Sequence, residues 1–140
     1  MEWGSLRNLG RRGEELAVAY LEEKGYRILE RNYFTSYGEI DIIASYQAPQ
    51  EVERLVFVEV KARRNRRFGF PEESITPKKL NHLILSCQDY LQKHSKEDSD
   101  WQIDVISIEF AAQQEPIITH LDNVTVSLNL TESKKTYERK

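Results

Sequence analysis

Two stretches decide the reading of this chain: Glu39-Ile40-Asp41-Ile42-Ile43-Ala44-Ser45 and Leu55-Val56-Phe57-Val58-Glu59-Val60-Lys61-Ala62. Both are short apolar runs rich in β-branched residues, the composition of buried strands. Each carries charge inside it. Along a strand side chains alternate between faces, so Glu59 and Lys61 point one way and Val56, Val58 and Val60 the other. Charged groups placed there cost free energy unless they are paired or metal-bound. If the two strands are neighbours, Asp41 and Glu59 can converge on one cation with Lys61 beside them.

The rest of the chain supplies partners for these strands. Before them, Leu16, Ala17, Tyr20 and Leu21 form one apolar stripe, which predicts a helix over residues 10–24. Glu14 and Glu15 then fall in its first turn, where the helix dipole favours negative charge. Gly25 can close the helix in the left-handed conformation. Residues 26–35 read as a strand, suited to an edge, and Ser36-Tyr37-Gly38 as a turn. After Ala62 a basic loop leads to Thr76-Pro77, a helix N-cap followed by proline at the first helical position. Leu80, Leu83, Ile84, Cys87 and Leu91 continue that helix to about Lys93, and strands follow over 101–110 and 116–121. Val124, Val126, Leu128 and Leu130 alternate with polar residues and allow one more strand. The expectation is a single domain over residues 1–130, with a flexible tail over 131–140.

Composition narrows the class. With 140 residues, 39% hydrophobic and 31% charged, the chain is globular, and no apolar run approaches the ~20 residues of a membrane span. No secretory leader is expected at the N-terminus, and the lone Cys87 fits a reducing cytoplasm. The net charge is −3, yet Lys61, Arg63, Arg64, Arg66 and Arg67 concentrate five cations in seven residues. Binding to a polyanion depends on where charge is gathered rather than on its sum.

Phosphodiester hydrolysis is the chemistry that needs this trio. Extra negative charge develops on a phosphate that already repels hydroxide. Asp41 and Glu59 would hold Mg²⁺ or Mn²⁺, hard ions that take oxygen ligands, and the main-chain carbonyl of Val60 is a natural additional ligand. Such an ion neutralises developing charge and acidifies a bound water. Lys61 would orient that water or stabilise the charge.

Asp41 followed by Glu59-Val60-Lys61 resembles the D…(D/E)xK signature of the PD-(D/E)xK restriction-endonuclease-like superfamily. Gly13-Glu14, Gly25-Tyr26, Arg31-Asn32, Gly38-Glu39-Ile40-Asp41, Phe57-Val58-Glu59-Val60-Lys61, Phe68-Gly69, Pro71, Lys78-Lys79 and Asp104-Val105-Ile106 resemble the bacterial UPF0102 (YraN-like) family over about residues 10–123. That family is similar to archaeal Holliday-junction resolvases. The resemblance implies an α/β fold with an αβββαβ core, a mixed central sheet flanked by helices. It also implies a first-helix carboxylate in the site, here Glu14, and a homodimer acting on DNA in preference to RNA, with branched DNA as a candidate substrate. Gln102 departs from the pattern, which has arginine before the Asp-Val-Ile strand.

Other candidates carry plainer readings. Arg63, Arg64, Arg66 and Arg67 leave the catalytic strand at its rim, where they can meet phosphates. Lys78 and Lys79 open the second helix, where cations oppose the dipole and hint at an anionic partner. Glu39 is read as a turn or capping contact. His82, His94 and His120 lack metal-ligand spacing and are read as surface or satisfied polar residues; Cys87, Trp101, Tyr33 and Phe34 are read as packing. The rival to a nuclease is a non-catalytic nucleic-acid-binding module that keeps the fold.

Overall fold

The computed structural model describes residues 6–64 and 75–124. Arg66, Arg67, most of the 124–130 alternation and the tail over 131–140 lie outside the described residues. The elements are α1 (Leu6–Glu23), β1 (Arg27–Thr35), β2 (Gly38–Tyr46), β3 (Arg54–Arg63), α2 (Pro77–Lys93), β4 (Asp100–Glu109) and β5 (Ile117–Leu121). The strands form one mixed sheet in sequence order. All neighbours are antiparallel except β3 and β4, which run parallel because α2 carries the chain back between them.

The sheet is buried on both faces. Leu9, Ala17 and Leu21 of α1 pack on Ile42, Ala44, Val56, Val58, Ile106 and Ile108. Leu80, Leu83, Cys87, Tyr90 and Leu91 of α2 pack on Ile40, Ile43, Leu55, Phe57 and Ile103. Both faces being covered explains why β3 reads as an almost continuous apolar run. Cys87 and Trp101 belong to the α2-side core as expected.

The α2 cap is as read: Lys79 N donates to Thr76 Oγ1 at 3.1 Å, with Pro77 next. Gly25 takes φ +97 and closes α1, with Tyr26 N donating to Leu21 O and Gly25 N to Glu22 O. The start of α1 differs. The helix begins at Leu6, because the buried Leu9 extends its apolar stripe by a turn. Glu14 and Glu15 therefore lie beyond the first turn, and the dipole does not account for them. At Gly13 an added Cβ would stand 2.7 Å from the Ala62 Cβ. The missing side chain lets α1 approach the end of β3.

Candidate functional site

The site forms where β2 and β3 part. Their ladder runs from Tyr46↔Arg54 to Ile42↔Val58. Face alternation in β2 slips at the same place, with Ile40 and Ile43 on the α2 side and Ile42 on the α1 side. Asp41 sits at the slip, and its Oδ2 accepts the Val60 N–H at 2.8 Å, replacing a backbone partner with a side chain. A strand residue projects its N–H and C=O to the same edge, so the Val60 carbonyl faces this gap too.

Glu59 lies on the α2-facing side of β3, with Lys61 Nζ 4.0 Å from its Oε1. That contact is long, and β3 is flanked by β2 and β4, so a salt bridge on an edge strand does not explain the pair. Asp41 is pushed up to about 8, by burial first and then by the charge of Glu59, against the lowering effect of the Val60 N–H. Burial also raises Glu59, which Lys61 pulls back down. The two carboxyls are close enough to shift each other's titration, and a cation between them would offset the charge that burial disfavours.

Glu14 approaches from α1. It is raised by burial and then by Glu39, and its field reaches Asp41. With its amide oriented to donate, Asn32 bridges Glu14 Oε1 at 3.1 Å and Glu39 Oε1 at 2.7 Å. Asn32 lies between the ladder partners of Ile40 and Ile42, at φ 53, a left-handed conformation that asparagine tolerates better than most residues. Glu39 is thus part of the acidic surface rather than only a turn contact. It lines both a cleft of about 810 Å³ with Glu14, Arg31 and Phe34, and a smaller depression of about 180 Å³ with Glu59, Lys61, Lys79 and His82.

The cations divide. Lys61 and Lys79 both line the smaller depression, and Lys61 holds Lys79 below the ordinary lysine value. Lys78 is exposed, as is Arg64. Arg63 is half-buried, with Nε and one Nη shielded from solvent and without a hydrogen-bond partner. Of the aromatics read as packing, Tyr33 does pack, donating to Asp89 and meeting Tyr90 edge-on. Phe34 does not: it is 73% exposed.

A second cluster escaped the sequence reading. Asp104, His120 and Asp122 offer ligand atoms within 4.8 Å of one another, a group that can hold a metal ion. Its members are also satisfied without an ion. His120 meets Tyr20 Oη at 3.0 Å and Asp104 Oδ2 at 2.7 Å, while Gln102 Nε2 donates to Asp104 at 2.8 Å and Asp122 at 2.7 Å. Arg54 in turn donates to Gln102 Oε1 at 2.9 Å. These residues come from four elements and the segment after β5, with no common spacing, so no sequence motif announces them.

A model of the uncharacterised protein family UPF0102 matches residues 13–108, a region that holds Asp41, Glu59 and Asp104 but ends before His120 and Asp122. A UPF0102 protein of Syntrophomonas wolfei is 46% identical over 102 residues, covering 73% of this chain and 84% of that one. One from Pelobacter propionicus is 46% identical over 102 residues, covering 73% and 71%. One from Dehalococcoides mccartyi is 40% identical over 114 residues, covering 81% and 89%. The matched region contains Gly13, Glu14, Asn32, Asp41, Glu59 and Lys61 together, and the chain belongs to family UPF0102.

Proposed function

We propose that the chain is a metal-dependent endonuclease of the PD-(D/E)xK class that hydrolyses DNA phosphodiesters, with branched or junction DNA as its substrate and a homodimer as its working form. The observation that carries this reading is the meeting of Asp41 and Glu59 at the parting of β2 and β3, where burial and the charge of Glu59 raise Asp41 and burial raises Glu59. Two hard carboxylate donors with an adjacent main-chain carbonyl suit Mg²⁺ or Mn²⁺. Asp41, Glu59 and the Val60 carbonyl would hold the ion, and Glu14 stands close enough to contribute its field. When bound, the ion supplies charge neutralisation and an acidified water.

The chain's own residues supply the rest. Lys61 stands beside Glu59 and can orient the attacking water or the scissile phosphate. Lys79 is in the first turn of α2, where the helix dipole also favours an anion. Two ammonium groups lining one depression repel, and a phosphate between them relieves that repulsion. Arg64 and Lys78 extend the positive rim.

The test is cleavage of duplex, single-stranded, flap and four-way-junction DNA by purified protein with Mg²⁺ or Mn²⁺. Cleavage lost in Asp41→Asn and Lys61→Ala supports the reading. No cleavage of any substrate, or undiminished cleavage by Asp41→Asn, overturns it.

A further inference from the structure

We infer that the β1–β2 hairpin is a base-stacking wedge, so that the DNA taken by the proposed nuclease carries unpaired bases beside the cleaved phosphodiester; this inference rests on the nuclease reading. Phe34 is 73% exposed and Tyr37 is 47% exposed, while the intervening Thr35 ties the hairpin down. Thr35 Oγ1 accepts from Tyr37 N at 3.0 Å and from Gly38 N at 3.1 Å, and it shares a 2.9 Å hydrogen bond with Ser86 Oγ of α2. The two rings are therefore presented on an anchored turn, and a rigid aromatic loses little entropy on binding.

Their placement sets the ligand. Phe34 lines the larger cleft with Glu14, Asn32 and Glu39; Tyr37 lines the smaller depression with Glu59, Lys61 and Lys79. Glu39 is common to both, and it pairs in register with Phe34. The rings thus flank the carboxylates from a single hairpin. Single exposed apolar residues are ordinary on protein surfaces. Two of them bracketing an acidic, cation-rimmed groove call for a ligand that is aromatic and anionic at adjacent points, which describes a nucleotide. In a fully paired duplex the base faces are covered by their neighbours, so only unpaired bases can stack on these rings. A protein partner or a second copy would favour a continuous apolar patch, and here Glu39 interrupts it.

The experiment uses oligonucleotides with 2-aminopurine at an unpaired position, alongside fully paired duplexes, titrated with full-length protein in EDTA so that binding is read without cleavage. Wild type should quench the unpaired 2-aminopurine. Phe34→Ala should lose the quenching and bind the single strand roughly tenfold more weakly, with duplex binding unchanged. Phe34→Trp should restore both. No quenching by wild type, equal weakening on duplex, or unchanged affinity in Phe34→Ala overturns the inference. So does a shift of Phe34→Ala from dimer to monomer in sedimentation, which would place the ring against a second copy. Quenching without any cleavage in Mg²⁺ would sink the nuclease reading and leave the wedge standing. Cleavage without quenching would do the reverse.

Discussion

Asp41 shows how one residue serves structure and chemistry in opposition. Its carboxyl takes the Val60 N–H that the splayed ladder leaves free, yet it does so buried against Glu59. The folded chain holds its proton up to about 8, against an ordinary value of 3.8. Between those values the folded state binds more protons than the unfolded one, so stability is full below about pH 4 and is lost as pH rises through 8. Asp41→Asn keeps an acceptor for Val60 and removes the titration. In metal-free buffer it should be more stable than wild type at pH 8, with a flatter dependence of urea midpoint on pH. Equal destabilisation at every pH would mean that the Val60 bond, not the charge, dominates. Asn32 makes a parallel case. A β-branched residue at φ 53 is strained, and Asn32→Val also frees Glu14 and Glu39 to repel. The expected cost is about 1–3 kcal/mol, read from denaturant midpoints.

At the scale of elements, the approach of α1 to β3 decides whether Glu14 can reach the site at all. Gly13 faces Ala62, and both positions are fixed by backbone rather than by flexible side chains. Gly13→Ala should push α1 off the end of β3 and cost about 1–3 kcal/mol, less whatever alanine regains in helix propensity. Gly13→Ala with Ala62→Gly should recover part of that loss in a double-mutant cycle, since the clash is between the two Cβ atoms. If the double variant is no better than the product of the singles, the contact is not the cause. α2 contributes differently: its capped N-terminus brings Lys79 to the depression that Lys61 lines, while its buried stripe holds the opposite side of the sheet.

For the whole molecule, two packed faces carry the fold, so folding itself does not require an ion. An ion should instead act as a ligand of the finished structure. Because Asp41 must lose its proton to bind one, the rise in Tm given by Mg²⁺ or Mn²⁺ should grow from pH 5 to pH 8. Asp41→Asn should abolish that rise, and Asp122→Ala should leave it intact. The opposite pattern would assign the ion to Asp104, His120 and Asp122, whose network ties β4 and the segment after β5 to Tyr20 of α1.

Much of this was legible in the residues. The apolar runs interrupted by charge, the Thr76-Pro77 cap and the Gly25 stop are local signals, and local backbone preference was enough to place β2, β3, α2 and the end of α1. Asp41, Glu59 and Lys61 stood out for the same reason: charge inside an apolar strand is costly wherever the strand packs. Tertiary structure alone decided the rest. Leu9 extends α1 only because a sheet is there to bury it, and that moved Glu14 away from the helix dipole. Phe34 and Tyr33 are adjacent and chemically alike, yet one is exposed and the other packed, because strand neighbours face opposite sides and α2 covers only one of them. Asp104, His120 and Asp122 are brought together by the pairing of β4 with β5, and Asn32 and Glu39 reach Glu14 across the β1–β2 hairpin. Sequence reports what each residue costs to bury; which residues share that burial is set by strand pairing and helix approach.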